Sequence, residues 1–281
     1  MIVLATALPA FHVHPSVLVV LGGLAGVHLS AARRHERETG ERLEPRRRNL
    51  FLGGVATLLV GASWPVHDLA EGYLYSLHMV QHMLFTFIGA PMLLSGTPAW
   101  MWRRLLRPAP LRAAWSLLTR PLVALLVANA VLLFTHWPEI VTLSVRSELA
   151  HFSIHSLLLG SAIVMWWPVL SPLPELPGLS PPGQLLYLFF QSLAPTIPAS
   201  FLTFGTKPLY TIYTTFPRIW GIGPLTDQLI AGLVMKLVGG AILWTVIAIV
   251  FFRWGREETS QGWDALKFRN VEREIREGMH R

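Results

Sequence analysis

The sequence predicts an all-α polytopic membrane protein, a bundle of seven transmembrane helices followed by a cytoplasmic C-terminal helix. Three observations carry that expectation. The 281 residues are 52% hydrophobic and only 14% charged, with a mean hydropathy of +0.47, outside the range of a water-soluble domain. Apolar runs near the roughly 20 residues that cross about 30 Å of hydrocarbon recur along the chain. The cations gather between alternate runs instead of spreading over a surface.

The runs fall at residues 11–32, 50–64, 73–95, 121–137, 147–170, 183–204 and 226–252. The first has no Lys or Arg before it, and few apolar residues precede Pro9; it reads as helix one and not as a cleaved signal. The second ends at Trp64-Pro65 and the fourth at His136-Trp137-Pro138, both short at their cores. Pro195 and Pro198 are expected to kink the sixth, and Asp227-Gln228 opens the seventh. None of the runs alternates apolar with polar residues, as the roughly 10-residue strands of a barrel would. The membrane domain thus occupies residues 1–254. The tail 255–281 carries Trp263, Leu266, Phe268, Val271 and Ile275 among charges, and reads as an amphipathic helix near the headgroups. The loop Arg33 to Asn49, charged with both signs, is expected to be partly ordered at best. Trp64, Trp100, Trp102, Trp137, Trp166, Trp167 and Trp220 suit interfacial belts.

A net charge of +7 is the kind of excess that nucleic-acid binders carry, but its placement excludes that reading. Arg33, Arg34, Arg37, Arg42, Arg46, Arg47 and Arg48 lie between runs one and two. Arg103, Arg104, Arg107, Arg112 and Arg120 lie between runs three and four, and seven more cations run from Arg253 to Arg281. Only Arg146, Lys207 and Arg218 lie on the opposite side, and Lys236 is intramembrane. By the positive-inside rule the amino terminus is extracytoplasmic and the carboxyl terminus cytoplasmic. The cations report orientation and contact with anionic lipids, not nucleic acid. The absence of cysteine excludes thiolate metal sites, thiol catalysis and disulfides.

Within that orientation two histidine couples stand out, His78/His82 and His151/His155. Four residues of helix turn through about 400°, so each couple points two imidazoles the same way, one turn apart. Histidine at bilayer depth is rare and functional by default, and imidazole suits copper, zinc and iron. His67, Asp68, His136, Asp227 and Gln228 fall in the same outer half of the membrane, while His28, His35 and His280 fall on the cytoplasmic side. The candidate ligands are His78, His82, His151 and His155, followed by His67 and His136. Each has a plainer reading as an interhelical hydrogen-bonding group or a wet residue at a helix end. Asp68, Asp227 and Gln228 are candidates to orient the imidazoles, Asp227 equally a helix cap. Met79 and Met83 sit about 100° around the helix from the histidines and flank their face. Thioethers are soft ligands for Cu(I), although methionine as apolar filler is the plainer reading. His12 and His14 begin the first run, and a terminal segment is a poor support for a rigid ligand.

The segment His78-Met79-Val80-Gln81-His82-Met83, with Ala90-Pro91, Leu93-Leu94, Gly96 and Pro98, resembles the signature of the seven-helix CtaG family of cytochrome c oxidase assembly factors. His136-Trp137-Pro138, the His151/His155 couple, Trp166-Trp167-Pro168, and Asp227-Gln228 with Gly232 resemble its later landmarks in the same order. The resemblance covers roughly Leu50 to Phe252. It implies a non-enzymatic role in maturing a haem-copper oxidase in the bacterial cytoplasmic membrane. Copper would come from an extracytoplasmic donor and pass to oxidase subunit I, with dimerisation of the chain left open. Lys236 departs from the family pattern, and a cation beside the site would oppose metal binding. A different copper-delivery factor that shares the name uses a cysteine pair on a soluble domain, which this chain lacks. Two rival expectations are a b-type haem protein with one axial histidine from each couple, and a membrane di-metal oxidase. The second is disfavoured by the lack of adjacent His-His pairs.

Overall fold

The computed structural model describes residues 8–278, with side chains through residue 259, and no strand occurs among them. The helices are α1 (Pro15–Thr39), α2 (Pro45–Gly61), α3 (Val66–Gly72), α4 (Tyr75–Gly96), α5 (Ala99–Leu105), α6 (Ala109–Leu118) and α7 (Pro121–Thr135). They continue with α8 (Pro138–Arg146), α9 (Glu148–Leu170), α10 (Pro181–Leu193) and α11 (Thr196–Phe204). The last, α12, runs from Pro224 through a π turn at Val234–Val238 and on to Gly278. Proline stands in the first turn of α1, α2, α6, α7, α8, α10 and α12, where its missing N–H costs no helical hydrogen bond.

Five helical segments are long and apolar enough to cross a membrane: α1, α4, α9, α10 with α11, and α12. Two bent pairs, α2 with α3 at 40° and α6 with α7 at 83°, raise the number to seven if each pair is one span. The charged loop expected between runs one and two is mostly helical, a correction to the sequence reading. α1 continues to Thr39 and stops at Gly40, whose φ of 76° places its N–H on the Glu36 carbonyl at 2.8 Å. That left-handed stop is the one glycine adopts most cheaply. Ion pairs Arg34–Glu38 at 2.6 Å and Arg42–Glu36 at 2.8 Å hold this stretch. The tail begins inside α12 without a break; the side chains beyond residue 259, and His280 altogether, lie outside the described residues.

α4 is the central element. It packs against α2 on one side, and against α9 and the first half of α12 on others. Its approach to α2 is made through glycine. A Cβ on Gly96 would strike the backbone of Phe51, and one on Gly54 would lie 2.9 Å from Leu93 Cγ. Without side chains there, the two helices interlock Phe51, Val55, Leu58, Phe85 and Leu93 into one cluster. Midway along α4 the helix widens into a π turn at Leu84–Gly89. Pro91 lacks the N–H that would reach the Phe87 carbonyl, and the wider turn just before it accommodates the ring. The Thr86 carbonyl accepts instead from Trp166 Nε1–H at 2.8 Å.

That bond also corrects the expectation for the tryptophans. Trp166 and Trp167 are buried, as is Trp102. Trp102, Trp115 and Trp167 form an edge-and-stack cluster with centroids 4.9 to 5.6 Å apart. Of the tryptophans expected in the belts, Trp137 and Trp220 are exposed. A dipeptide pattern does not say which rings the neighbouring helices will cover.

The glycine contacts are expected to be a stability determinant. Gly96→Leu should lower the melting temperature of the detergent-solubilised protein, in line with an overpacking cost of about 1–3 kcal/mol. Gly26→Leu, at a position with open space around the would-be Cβ, should leave it unchanged. Equal melting temperatures for the two variants would show that the α2–α4 approach tolerates a side chain.

Candidate metal centre

The two histidine couples occupy facing helices, α4 and α9, and their rings meet. The His78 and His82 centroids are 4.4 Å apart, His78 and His155 5.3 Å, and His82 and His155 5.2 Å. One ligand nitrogen from each of these three residues lies within 4.8 Å of the others. Nitrogens around a single ion at about 2.0 Å stand about 3.3–4 Å apart, so small side-chain rotations suffice to close the set. His151 stacks next to His155 at 4.1 Å, tilted by 39°, because four residues of α9 bring the rings onto one face.

His67 and Glu71 come from α3, one turn apart, and with His151 form a second group whose ligand atoms also lie within 4.8 Å of one another. Glu71 lies between the two groups. One carboxylate oxygen is 3.4 Å from His78 Nδ1 and the other 3.3 Å from His151 Nδ1. A carboxylate so placed can orient both rings and would offset the charge of a cation held there. Sequence reasoning missed Glu71; its signal was the His67–Glu71 i,i+4 spacing on the outer side of run three. Gln81 was also missed. It is fully buried, its Nε2–H donates to the Gly61 carbonyl at 2.8 Å, and the same nitrogen lies 3.3 Å from His67 Nδ1.

His136 joins from the end of α7. Its ring is 5.5 Å from that of His82, and its Nδ1 is 2.7 Å from the Leu132 carbonyl. A carbonyl only accepts, so Nδ1 carries the proton and Nε2 is left with its lone pair. Nε2 lies 3.4 Å from Met79 Sδ. Met83 lies beside His82 in the wall of a cavity of about 30 Å³ that His136, Met165, Gln191 and Met235 also line, room for about two waters. The six histidines expected as ligands are thus contiguous, and both methionines border the cluster.

The remaining expected residues sit elsewhere. Asp68 pairs with His14, at 3.0 Å, and not with the α4–α9 rings. Gln228 holds the loop after α11, accepting from Leu209 N–H at 2.7 Å and Tyr210 N–H at 3.2 Å and donating to the Tyr210 carbonyl at 3.1 Å. Tyr210 Oη–H in turn donates to the His136 carbonyl at 2.8 Å, and burial pushes this phenol up to about 12, keeping it a donor. Lys236 is exposed on α12 while its neighbour Met235 is buried, so the cation faces away from the cluster. His28 stacks on Phe51 at 3.6 Å, apart from the cluster.

Buried nitrogens in the cluster make no hydrogen bond: His82 Nδ1 and Nε2, His155 Nε2, and His78 Nδ1, which has only the 3.4 Å approach of Glu71. Buried polar atoms left unpaired are costly and rare. Concentrated here, they match a donor set shaped for a cation. Imidazoles with neighbouring thioethers and one carboxylate suit copper in either oxidation state.

The family model described as cytochrome c oxidase caa3 assembly factor matches residues 26–257. The chain belongs to that family. No curated protein and no solved structure matches it.

Asp227, fully buried, holds α4 in place. Its carboxylate accepts from Tyr75 N–H at 2.7 Å and Ser76 N–H at 3.0 Å, two of the orphan donors at the start of α4. It caps a helix 151 residues away in sequence and not its own, and its bonds are to backbone rather than to an imidazole. Asp227→Ala is expected to destabilise the fold by about 1–3 kcal/mol, the cost of buried donors left unsatisfied, and Asp227→Asn by less because an acceptor oxygen remains. Thermal unfolding in detergent reads this, and an unchanged midpoint for Asp227→Ala would refute the capping role.

Proposed function

From its membership of this family, we propose that the protein is a copper-binding assembly factor, not an enzyme, that helps mature a haem-copper cytochrome c oxidase. The observation that carries the proposal is the convergence of His78, His82 and His155 from two facing helices, with their buried nitrogens unpartnered. Copper is the cargo. A transfer protein needs ligands that hold the ion and still let it exchange, and clustered imidazoles meet that need.

In this reading the protein spans the bacterial cytoplasmic membrane with its amino terminus outside, as the cation bias directs. The histidine cluster then lies in the outer half. It receives copper from an extracytoplasmic donor and passes it to subunit I of the oxidase within the bilayer. The arginine-rich segments at the other end contact anionic lipids. Glu71 supplies the negative charge that makes a cation tolerable at this depth. His136 and Met79, next to His82, offer a nitrogen and a thioether on the far side of the cluster, where the ion would leave toward the cavity. The crowding favours a bare ion over haem. The ring centroids of α4 and α9 stand little more than 5 Å apart, and the adjoining cavity is far smaller than a tetrapyrrole.

The purified protein is expected to bind copper, and His78→Ala/His155→Ala to lose one equivalent, by metal analysis after desalting. Glu71→Gln should keep the stoichiometry and weaken affinity about tenfold or more, the usual effect of removing a group that orients ligands. Wild-type copper occupancy in the double variant would defeat the proposal.

A further inference from the structure

We propose that His12, His14 and Asp68 form a second, outer copper site, which loads the buried cluster. The inference rests on the copper reading above. It concerns residues that the sequence alone set aside, on the expectation that a terminal segment is too loose to hold a ligand.

The structure overturns that expectation. The segment ahead of α1 is tied to the turn between α2 and α3. Trp64 Nε1–H donates to the Pro9 carbonyl at 2.9 Å, and the Phe11 ring packs edge-on against Trp64 with centroids 5.5 Å apart. Held in this way, His12 and His14 present both imidazoles to Asp68. His14 Nε2 is 3.0 Å from one carboxylate oxygen and His12 Nδ1 is 3.9 Å from the other. The rings stand 4.7 Å apart, nearly perpendicular, and one ligand atom from each of the three residues lies within 4.8 Å of the others. A structural ion pair needs only His14; the second imidazole on the free oxygen completes a two-nitrogen, one-oxygen donor set.

Its position suits loading. The His12 side chain is 67% exposed, whereas those of His14 and Asp68 are 16% and 17% exposed, so an ion can be captured from solvent on one side and held on the other. From His14 the imidazoles continue inward without a gap. His14 to His67 is 4.5 Å, His67 to His151 5.3 Å, and His151 to His155 4.1 Å between centroids. Exchange from one group to the next therefore proceeds by replacing one ligand at a time. The donor sets change along the way, from imidazole and carboxylate outside to imidazole and thioether at His136 and Met79. His12 and His14 precede the matched stretch 26–257, whereas Asp68 lies within it.

The test uses full-length protein in detergent with Cu(II) as the probe. It compares wild type, His12→Ala/His14→Ala, Asp68→Asn and His78→Ala/His155→Ala for stoichiometry, for the Cu(II) EPR signal, and for the rate at which the buried cluster fills by freeze-quench EPR. The outer-site double variant is expected to bind one ion fewer, to melt like wild type, and to fill the buried cluster about tenfold more slowly, having lost the high local concentration of a tethered ion. Asp68→Asn should weaken the same site while keeping its shape. The inner double variant should retain an EPR signal with nitrogen coupling from two imidazoles. If the outer variant matches wild type in stoichiometry and rate while the inner variant loses an ion, this inference falls and the copper reading stands. If wild type itself takes up no copper, both fall.

Discussion

A nitrogen or oxygen buried inside a helical bundle has no water to turn to, and most of this structure is arranged around that constraint. The fold answers it in two ways. Gln81, Asp227, Gln228, Tyr210 and Trp166 bond to backbone groups that helix ends, a loop and a π turn leave free. His78, His82 and His155 are held together with nitrogens that make no hydrogen bond among the described residues, His78 Nδ1 having only the approach of Glu71. The first set makes the bundle rigid. The second is the donor set on which the proposed copper binding rests, because a cation can meet several imidazole lone pairs at once.

α4 is where the two sets meet. Its start is fixed by Asp227 from α12, its far half lies against α2 through glycine contacts, and its π turn follows directly after Met83. Each of these contacts fixes the height and rotation of His78 and His82. α9 supplies the facing couple, and α3 inserts Glu71 between the two. The candidate site, built from three helices, therefore depends on packing contacts remote from its histidines.

The graded exposure of the histidines adds a direction. The His12 side chain is 67% exposed and His82 is covered, and the proposed loading path runs from the first to the second. The thioethers of Met79 and Met83 occur at the covered end, Met83 in the wall of the small cavity. In the proposed function that ordering suits a conduit better than a store, in which equivalent groups would share one environment.

Much of this was legible in the chain itself. Run length and charge bias foretold an all-helical membrane protein, and the i,i+4 rule foretold that each couple shares a face, because helical periodicity is a local property. The same locality made Glu71 easy to pass over and His12 and His14 easy to dismiss. Nothing in either segment reveals that Trp64 will tie down the terminus, or that Asp227 will cap α4 instead of its own helix. The sequence by itself determined the elements and which side chains travel together on them. Tertiary structure alone decided which faces meet, since the distance between α4, α9 and α3 is set by glycine contacts, caps and bends that act between residues remote along the chain.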